Sequence, residues 1–154
     1  MTSAITSAAG AIPDNIVAWI RTSGGDHALQ LITIDCYARP HLMLMARDEI
    51  HLISNREVRV AVGEQSSTSA NLTMRTSATL SIYDASLACV IKTRAVGGPT
   101  PLTAGTVAYA LVVEDVRLDV PTAAEGSARL VSGLRFEGRA ERSDIRAALA
   151  ALSS

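Results

Sequence analysis

The sequence predicts a mainly β fold, a small closed or half-closed antiparallel β-barrel with flanking helices. Short runs of aliphatic and β-branched residues recur from Ala28 to Leu118 with turn residues between them, which is typical of a sheet. Helical patterns occur only at the two ends and once in the middle, so helices do not alternate with strands as in a parallel α/β sheet. The segment 106–118 switches the side that it buries, as a strand curling round a barrel does.

The length and charge of the chain limit the classes of protein to consider. A chain of 154 residues and 16.2 kDa fits one domain with one core, and we expect a single domain over residues 1–154. Residues 1–11 are small and polar without periodicity and are expected to form a loosely packed leader. The net charge of -1 gives no electrostatic footprint for nucleic acid or an anionic membrane. With no signal-like N-terminus and no apolar run near ~20 residues, we expect a soluble cytoplasmic protein.

The elements of the first half follow from local patterns. Helical spacing of apolar residues begins after Pro13 and stops at Ser23-Gly24-Gly25, which predicts a short helix. Strands at 28–35 and 41–46 flank a loop of about five residues and predict a hairpin. Two further strand patterns follow, a short apolar piece at 50–54 and a clean alternation at 58–62.

The next strands complete the predicted sheet. They lie at residues 78–83, 88–96 and 106–118. In the second of them Lys92 and Arg94 share one face, opposite small and apolar residues. The sequence GGPTP at 97–101 is predicted to be a loop.

The remainder of the chain is predicted to hold little regular structure before a final helix. Residues 121–132 resemble a loop, and 131–136 are expected to form a last short strand or turn. Ser143 is expected to cap a helix whose apolar residues follow at helical spacing.

The polar stretch GEQSSTSANL, residues 63–72, is the strongest candidate for a binding site. Ser66, Ser67 or Thr68 would cap a short helix over residues 69–76. A helix N-terminus with free amides and nearby hydroxyls is also a sound phosphate site without any lysine. Because one hydroxyl can cap the helix while its neighbours bind an anion, the sequence leaves both interpretations open.

The run from Val58 to Leu80 (VRVAVGEQSSTSANLTMRTSATL) resembles the pyridoxamine 5'-phosphate oxidase-like family of split-barrel flavin-binding proteins. In that family the third barrel strand ends at a serine-containing turn, a short helix with an Asn-Leu or similar pair follows, and the next strand resembles Ala-Thr-Leu. The Arg39-Pro40-His41 turn and the segment 90–95 lie where the family has its first hairpin turn and its fifth strand. The resemblance extends over residues 28–118.

This resemblance implies a split antiparallel β-barrel that holds FMN in a groove at the interface of a homodimer and acts as a flavin-dependent oxidoreductase. Val60, Ala61 and Val62 match the strand whose backbone faces the flavin. The residues that match the phosphate-binding turn and helix are Ser66, Ser67, Thr68, Ser69 and Asn71. Arg59 or Lys92 would balance the charge of the cofactor.

The chain departs from the family at the phosphate-binding turn. Family members have a Ser-Arg-Lys-like triplet there, whereas Ser66-Ser67-Thr68 carries no positive charge. Charge-assisted hydrogen bonds are roughly twice as strong as neutral ones, so a cation would have to come from elsewhere. The candidates are Arg59, Arg75, Lys92 and Arg94. Alternatives are a cofactor-free split barrel with a binding or stress-related role, or one that binds another ligand such as a deazaflavin or haem.

Side chains that could act without a cofactor are few. His27, His41 and His51 share no metal-binding spacing, so no metal site is predicted. Cys36 and Cys89 have no neighbouring histidine or helix N-terminus and are expected to be buried, inert thiols. Motifs for a nucleophile elbow, a dinucleotide or a phosphate-binding lysine are missing, so the catalytic residues stay unknown and a cofactor would carry any chemistry.

Overall fold

The fold is known from a computed structural model that describes residues 4–7, 10–103, 105–120, 123–126 and 128–152. Its strands are β1 (Ala4–Ser7), β2 (Ala28–Ile34), β3 (Pro40–Ala46), β4 (Ile50–Leu52), β5 (Glu57–Gly63), β6 (Ser77–Asp84), β7 (Leu87–Thr103) and β8 (Thr106–Val120). Its α-helices are α1 (Asp14–Thr22), α2 (Ser67–Arg75) and α3 (Ser143–Ala151). Short 3₁₀ turns lie at Arg47–Glu49 and Ala123–Glu125.

The strands form one antiparallel sheet in the order β3-β2-β6-β7-β8-β5-β4. β8 is central because β7 pairs along one side of it, while β5 and β1 pair with successive segments of the other side. The sheet curls into a half-barrel. The predicted class, a mainly β antiparallel barrel with flanking helices, is therefore confirmed.

The concave side of the sheet is packed with aliphatic side chains, as the 3% content of aromatic residues requires. In β5, Val58, Val60 and Val62 are buried on this side. Helix α1 adds Ile16 and Ile20 to the same cluster. Since each such side chain contributes ~1.5–3 kcal/mol on burial, this cluster is the main source of stability.

Helix α3 packs against the opposite, convex side of the sheet. Its Ile145 and Leu149 are fully buried against Ala61 of β5 and Ala108 of β8. The two alanines lie next to each other as a cross-strand pair and provide a flat seat for the larger side chains. As a result, this chain's own helix covers part of the outer face of β5.

Asp48 fixes the segment that leads into α3. Its carboxylate is 3% exposed and accepts hydrogen bonds from Arg139 Nη1 at 2.9 Å, from Arg139 Nη2 at 2.8 Å and from the Arg142 amide. Burial alone would raise the pKa of Asp48, but these hydrogen bonds outweigh it and the pKa lies below its ordinary value. The forked pair thus holds the segment before α3 against the 3₁₀ turn at Arg47–Glu49.

The long strand β8 contains the switch of buried side that the sequence predicts. Val113 and Val116 are both buried although they have opposite parity. Thr93 pairs with Val113 and Lys92 with Asp115, so Glu114 is an extra residue that bulges out of the ladder. Glu114 lies 3.2 Å from Arg94, measured between Oε1 and Nε, on the exposed face.

The predicted loop at residues 97–101 is wrong, because β7 continues to Thr103. Val96 pairs with Ala110 and Thr100 with Ala108, so three residues of β7 face one residue of β8. Gly97 and Gly98 have φ of 77° and 69°, which only glycine adopts readily. The Gly-Gly-Pro sequence therefore makes a large bulge within a strand instead of ending it.

Three smaller predictions are also corrected. Residues 4–7 of the predicted leader form β1, which pairs with the end of β8. Residues 131–136 form no strand and make a single bridge, between His27 and Arg135. Ser143 is the first residue of α3, and Arg142 occupies the N-cap position.

The other predicted elements are confirmed, including the hairpin of β2 and β3 and the helix after Pro13. Among the helices described, none is long and apolar enough to cross a membrane.

Candidate functional site

The candidate site is the start of α2, where the chain leaves the end of β5. Ser66 is the N-cap, and its hydroxyl oxygen accepts a hydrogen bond from the Ser69 amide at 3.1 Å. The same hydroxyl donates to the Gly63 carbonyl at 2.6 Å. Ser66 therefore uses its side chain to begin the helix, which is the capping role that the sequence allowed for it.

Two backbone amides beside this cap are unpaired. The amides of Ser67 and Thr68 have no hydrogen-bond partner among the residues that the structure describes. The Ser67 side chain is exposed, whereas Thr68 is only 2% exposed. A helix N-terminus carries partial positive charge, so these two amides and the Ser67 hydroxyl together favour an anionic group.

Tyr109 of β8 holds α2 in place through its buried hydroxyl. Its hydroxyl lies 2.8 Å from both Ser69 Oγ and Thr73 Oγ1, and it donates to the Ser69 carbonyl at 3.0 Å. Asn71 adds a second anchor, because its Nδ2 donates to Thr33 Oγ1 of β2 at 3.0 Å. The side chains of Ser69 and Asn71, both predicted to bind phosphate, are thus occupied in fixing the helix.

Sequence reasoning did not assign Tyr109 to the site. Tyr109 lies on the buried side of β8, and a buried tyrosine hydroxyl needs a polar partner. The partners lie 36 and 40 residues earlier in the chain, so no local pattern identifies them.

A cavity of about 370 Å³ lies along the exposed side of α2. The lining residues are Glu64, Gln65, Ser66, Ser69, Ala70, Thr73 and Met74. The lining contains no basic side chain, and its one charged group is the carboxylate of Glu64. The cavity is widely open to solvent.

The predicted flavin-facing residues of β5 lie on both sides of the sheet. Val60 and Val62 point into the core, while Ala61 is 2% exposed beneath α3. Their backbone segment pairs with β8 along its length and with β4 as far as Val60. Arg59 shares the outer side with Ala61, directly across from His51 of β4.

The structure does not bring the predicted cations to the start of α2. Arg59 precedes Gly63 by four residues, about 13 Å along the strand. Lys92 is exposed in the middle of the sheet, paired with Thr79 and Asp115. Arg75 lies at the far end of α2 and donates to the Cys36 carbonyl at 3.2 Å.

Solved structures share this arrangement of strands. A proposed pyridoxamine 5'-phosphate oxidase from Lactobacillus delbrueckii aligns with a TM-score of 0.59 and 12% identity, over 75% of this chain and 98% of that chain. The fold is a split barrel. A proposed oxidase from Listeria innocua gives 0.54 and 13%, over 68% and 95% of the two chains. A conserved hypothetical protein from Mycobacterium tuberculosis gives 0.53 and 15%, over 74% and 89%. The sequence matches no protein-family model and no curated protein.

His27 ties several elements of this split barrel together. His27 Nδ1 lies 3.3 Å from Asp84, which also accepts a hydrogen bond from the Trp19 indole at 2.9 Å. On the other side of the ring, Nε2 lies 2.9 Å from Arg135. Both ring nitrogens are therefore engaged between α1, β6 and the C-terminal segment. No three His, Cys, Asp or Glu side chains in the described ranges come together as a possible metal site.

The two thiols of the split barrel differ, although both were predicted to be buried. Cys89 is buried, and burial raises its pKa to about 12, but Cys36 is exposed in the β2–β3 loop. We expect a thiol reagent such as 5,5'-dithiobis(2-nitrobenzoate) to label one thiol in the native protein and the second only after unfolding. Cys36→Ser should remove the native reaction. Rapid native labelling of Cys89 in that variant would contradict the buried position of β7.

Proposed function

We propose that this protein is a cytoplasmic FMN-binding oxidoreductase that holds its cofactor at the interface of a homodimer. The observation that carries the proposal is helix α2 of a split barrel, which has two partnerless amides and an exposed hydroxyl at its start and lines a 370 Å³ cavity along its side. These donors fit a phosphate group through neutral hydrogen bonds. Bound FMN would supply hydride and electron transfer, which no side chain of this site can supply.

The chain's own residues would position the cofactor. The Ser67 and Thr68 amides would hold the phosphate, and Tyr109 would keep those amides in place through Ser69 and Thr73. Because Tyr109 is 1% exposed and its hydroxyl is fully engaged, it acts as a rigid support for the helix. Arg59 and Lys92 are proposed only as distant balancing charges.

The direct test is a titration of FMN with purified protein, in which bound flavin loses fluorescence at micromolar protein. Native mass spectrometry of the protein as purified would identify a flavin, a deazaflavin or haem by its mass. We expect one FMN per subunit. Flavin fluorescence that stays unchanged at any attainable protein concentration would rule the proposal out.

The second candidate is a cofactor-free split barrel with a binding role. It is favoured by Glu64, whose carboxylate is the one charge in the cavity lining and would repel a phosphate. If this candidate is correct, Glu64→Gln will not create FMN binding. If FMN binds, the same substitution should tighten it.

The proposed homodimer is supported by β3, an edge strand in the part of the sheet that the structure describes. Residues 40–46 carry no charge, and Leu42 and Leu44 are 50% and 45% exposed on its outer side. Ile32 of β2 lies beside Leu42 and extends the apolar surface. Uncharged apolar edge strands are rarely left open, so a second copy of the chain is the partner we propose for it.

We expect Leu44→Lys to shift the protein from dimer to monomer in sedimentation velocity, because a lysine would be buried without a partner at the interface. The matched control is Val131→Lys, at an apolar side chain that is 83% exposed in the C-terminal segment. If the wild-type protein stays monomeric at high concentration, the proposed homodimer and the cofactor groove at its interface are wrong.

A further inference from the structure

Basic side chains of three elements lie around His51 of β4. Arg59 and His51 are direct cross-strand partners, so their side chains leave the sheet on the same side. Helix α3 packs on both strands and carries Arg146 in its first turn, while α1 packs on β4 and carries Arg21 in its last turn. We call Arg21, His51, Arg59 and Arg146 the basic cluster.

Arg59 is the unusual member of the basic cluster. Its Nη1 atom is buried, yet it has no hydrogen-bond partner in the described part of the chain. Neither Arg59 nor Arg21 has a carboxylate within ion-pairing distance there. A guanidinium nitrogen withdrawn from water without a partner costs free energy, so such a group indicates a missing ligand.

Two of the neighbouring acids, Asp48 and Glu49, are paired with Arg139, at 2.8 and 3.6 Å. Glu141 pairs with Arg146 at 3.3 Å, but both groups are about half exposed, so water screens this pair. Glu57 lies two residues before Arg59 on the same face of β5, but it forms no ion pair with Arg59 in the described residues, so the charge of Arg59 stays unpaired.

The pKa of His51 is affected by the positive charges around it. Burial lowers the pKa of His51 below its ordinary value, and the charges of Arg59, Arg21 and Arg146 lower it further. Three separate arginines thus act on one imidazole, which agrees with their convergence in the fold. A site of positive potential that is partly withdrawn from water attracts an oxyanion.

We propose that the basic cluster binds a phosphate group, either free orthophosphate or the phosphoryl group of a small metabolite. The planar guanidinium of Arg59 can donate two parallel hydrogen bonds to such a group, and Arg21 and Arg146 add charge from the rim. The site is separate from the cavity along α2, because Arg59 lies about 13 Å along β5 from Gly63. It therefore does not depend on FMN binding.

The test is a titration of the full chain with inorganic phosphate in a chloride buffer, followed through the NMR signals of the His51 ring. Glycerol 3-phosphate is titrated in parallel to distinguish the two sources of the phosphate group. We expect saturable binding of at least one of the two probes at millimolar concentration, and binding about tenfold or more weaker in Arg59→Met. The matched control, Arg129→Met, removes the same charge from an exposed loop and should bind like wild type.

The outcomes separate this proposal from its rivals. No saturable response to either probe, or equal affinity in wild type and Arg59→Met, would overturn it. If Arg59→Met does not fold, Arg21→Met at the exposed end of α1 takes its place and should also weaken binding. An FMN titration is run on Arg21→Met, because Arg21 has no role in the proposed FMN site. Its FMN affinity should stay at the wild-type value, and a joint loss of FMN and phosphate binding would show a single site.

Discussion

Replacing Ser67 with proline is expected to weaken FMN binding by about ten- to a hundredfold while leaving the protein folded. Ser67 is the first residue of α2, and its amide has no partner within the helix. Proline is favoured at this position of a helix. Ser66 has φ -78° and ψ 155°, the extended conformation that a residue before proline needs. The substitution therefore removes one phosphate-facing donor with little disturbance of the fold.

The control for this prediction is Ser67→Ala, which keeps the amide and removes only the hydroxyl. Its affinity for FMN should fall much less than that of Ser67→Pro, as measured by quenching of flavin fluorescence. Thermal unfolding followed by circular dichroism checks that both variants fold. Equal FMN affinity in Ser67→Pro and wild type would show that the amides of α2 do not hold the phosphate.

Replacing Asp48 with alanine is expected to lower the free energy of unfolding by about 3 kcal/mol at neutral pH. Asp48 is buried and holds Arg139 with both carboxylate oxygens, so its removal leaves the guanidinium and the Arg142 amide without their acceptor. Arg139 is 19% exposed and can turn partly to water, which places the loss at the lower end of the usual range. Urea denaturation measures the change. Asp26→Asn, at an exposed carboxylate paired with Arg135, should leave the midpoint almost unchanged.

The same pair predicts a loss of stability in acid. The pKa of Asp48 lies below its ordinary value of 3.8, so the ionised carboxylate stabilises the folded state. This contribution is complete above pH 3.8 and is lost as the pH falls through the lower pKa of the folded state. The difference in stability between wild type and Asp48→Asn should therefore shrink below pH 3.8, and a constant difference down to pH 2 would contradict the assignment.

The sequence predicts the sheet well where the hydrophobic pattern is local. The alternation of Val58, Val60 and Val62 and the change of parity between Val113 and Val116 both match the structure. The pattern fails at Gly97-Gly98-Pro99, because residues typical of a loop also suit a bulge when a long partner strand continues beside them. It also fails at residues 4–7. This segment has no strand pattern of its own and forms a strand by pairing with the edge of β8.

The candidate site is less predictable because its geometry depends on distant partners. The capping role of Ser66 follows from local spacing and is confirmed. Whether Ser69 and Asn71 face a ligand or the barrel depends on Tyr109 and Thr33, which the sequence does not connect to them. The cover that α3 places over Ala61 depends on a salt bridge between residues 91 positions apart. The assignment of these residues to FMN stays a prediction.

The central place of β8 has a consequence for synthesis of the chain. The strand is late in sequence, yet it joins β7 to β5: Val112, for example, pairs with Glu57 of β5 on one side and with Arg94 of β7 on the other. A nascent chain that ends before Thr106 contains β5 and β7 but lacks β8, the strand that pairs with both. Its β5 and β7 edges stay open to other chains, and such distant pairings form slowly. The ribosome must therefore release residues 106–120 before the barrel can close off the edges most prone to aggregation.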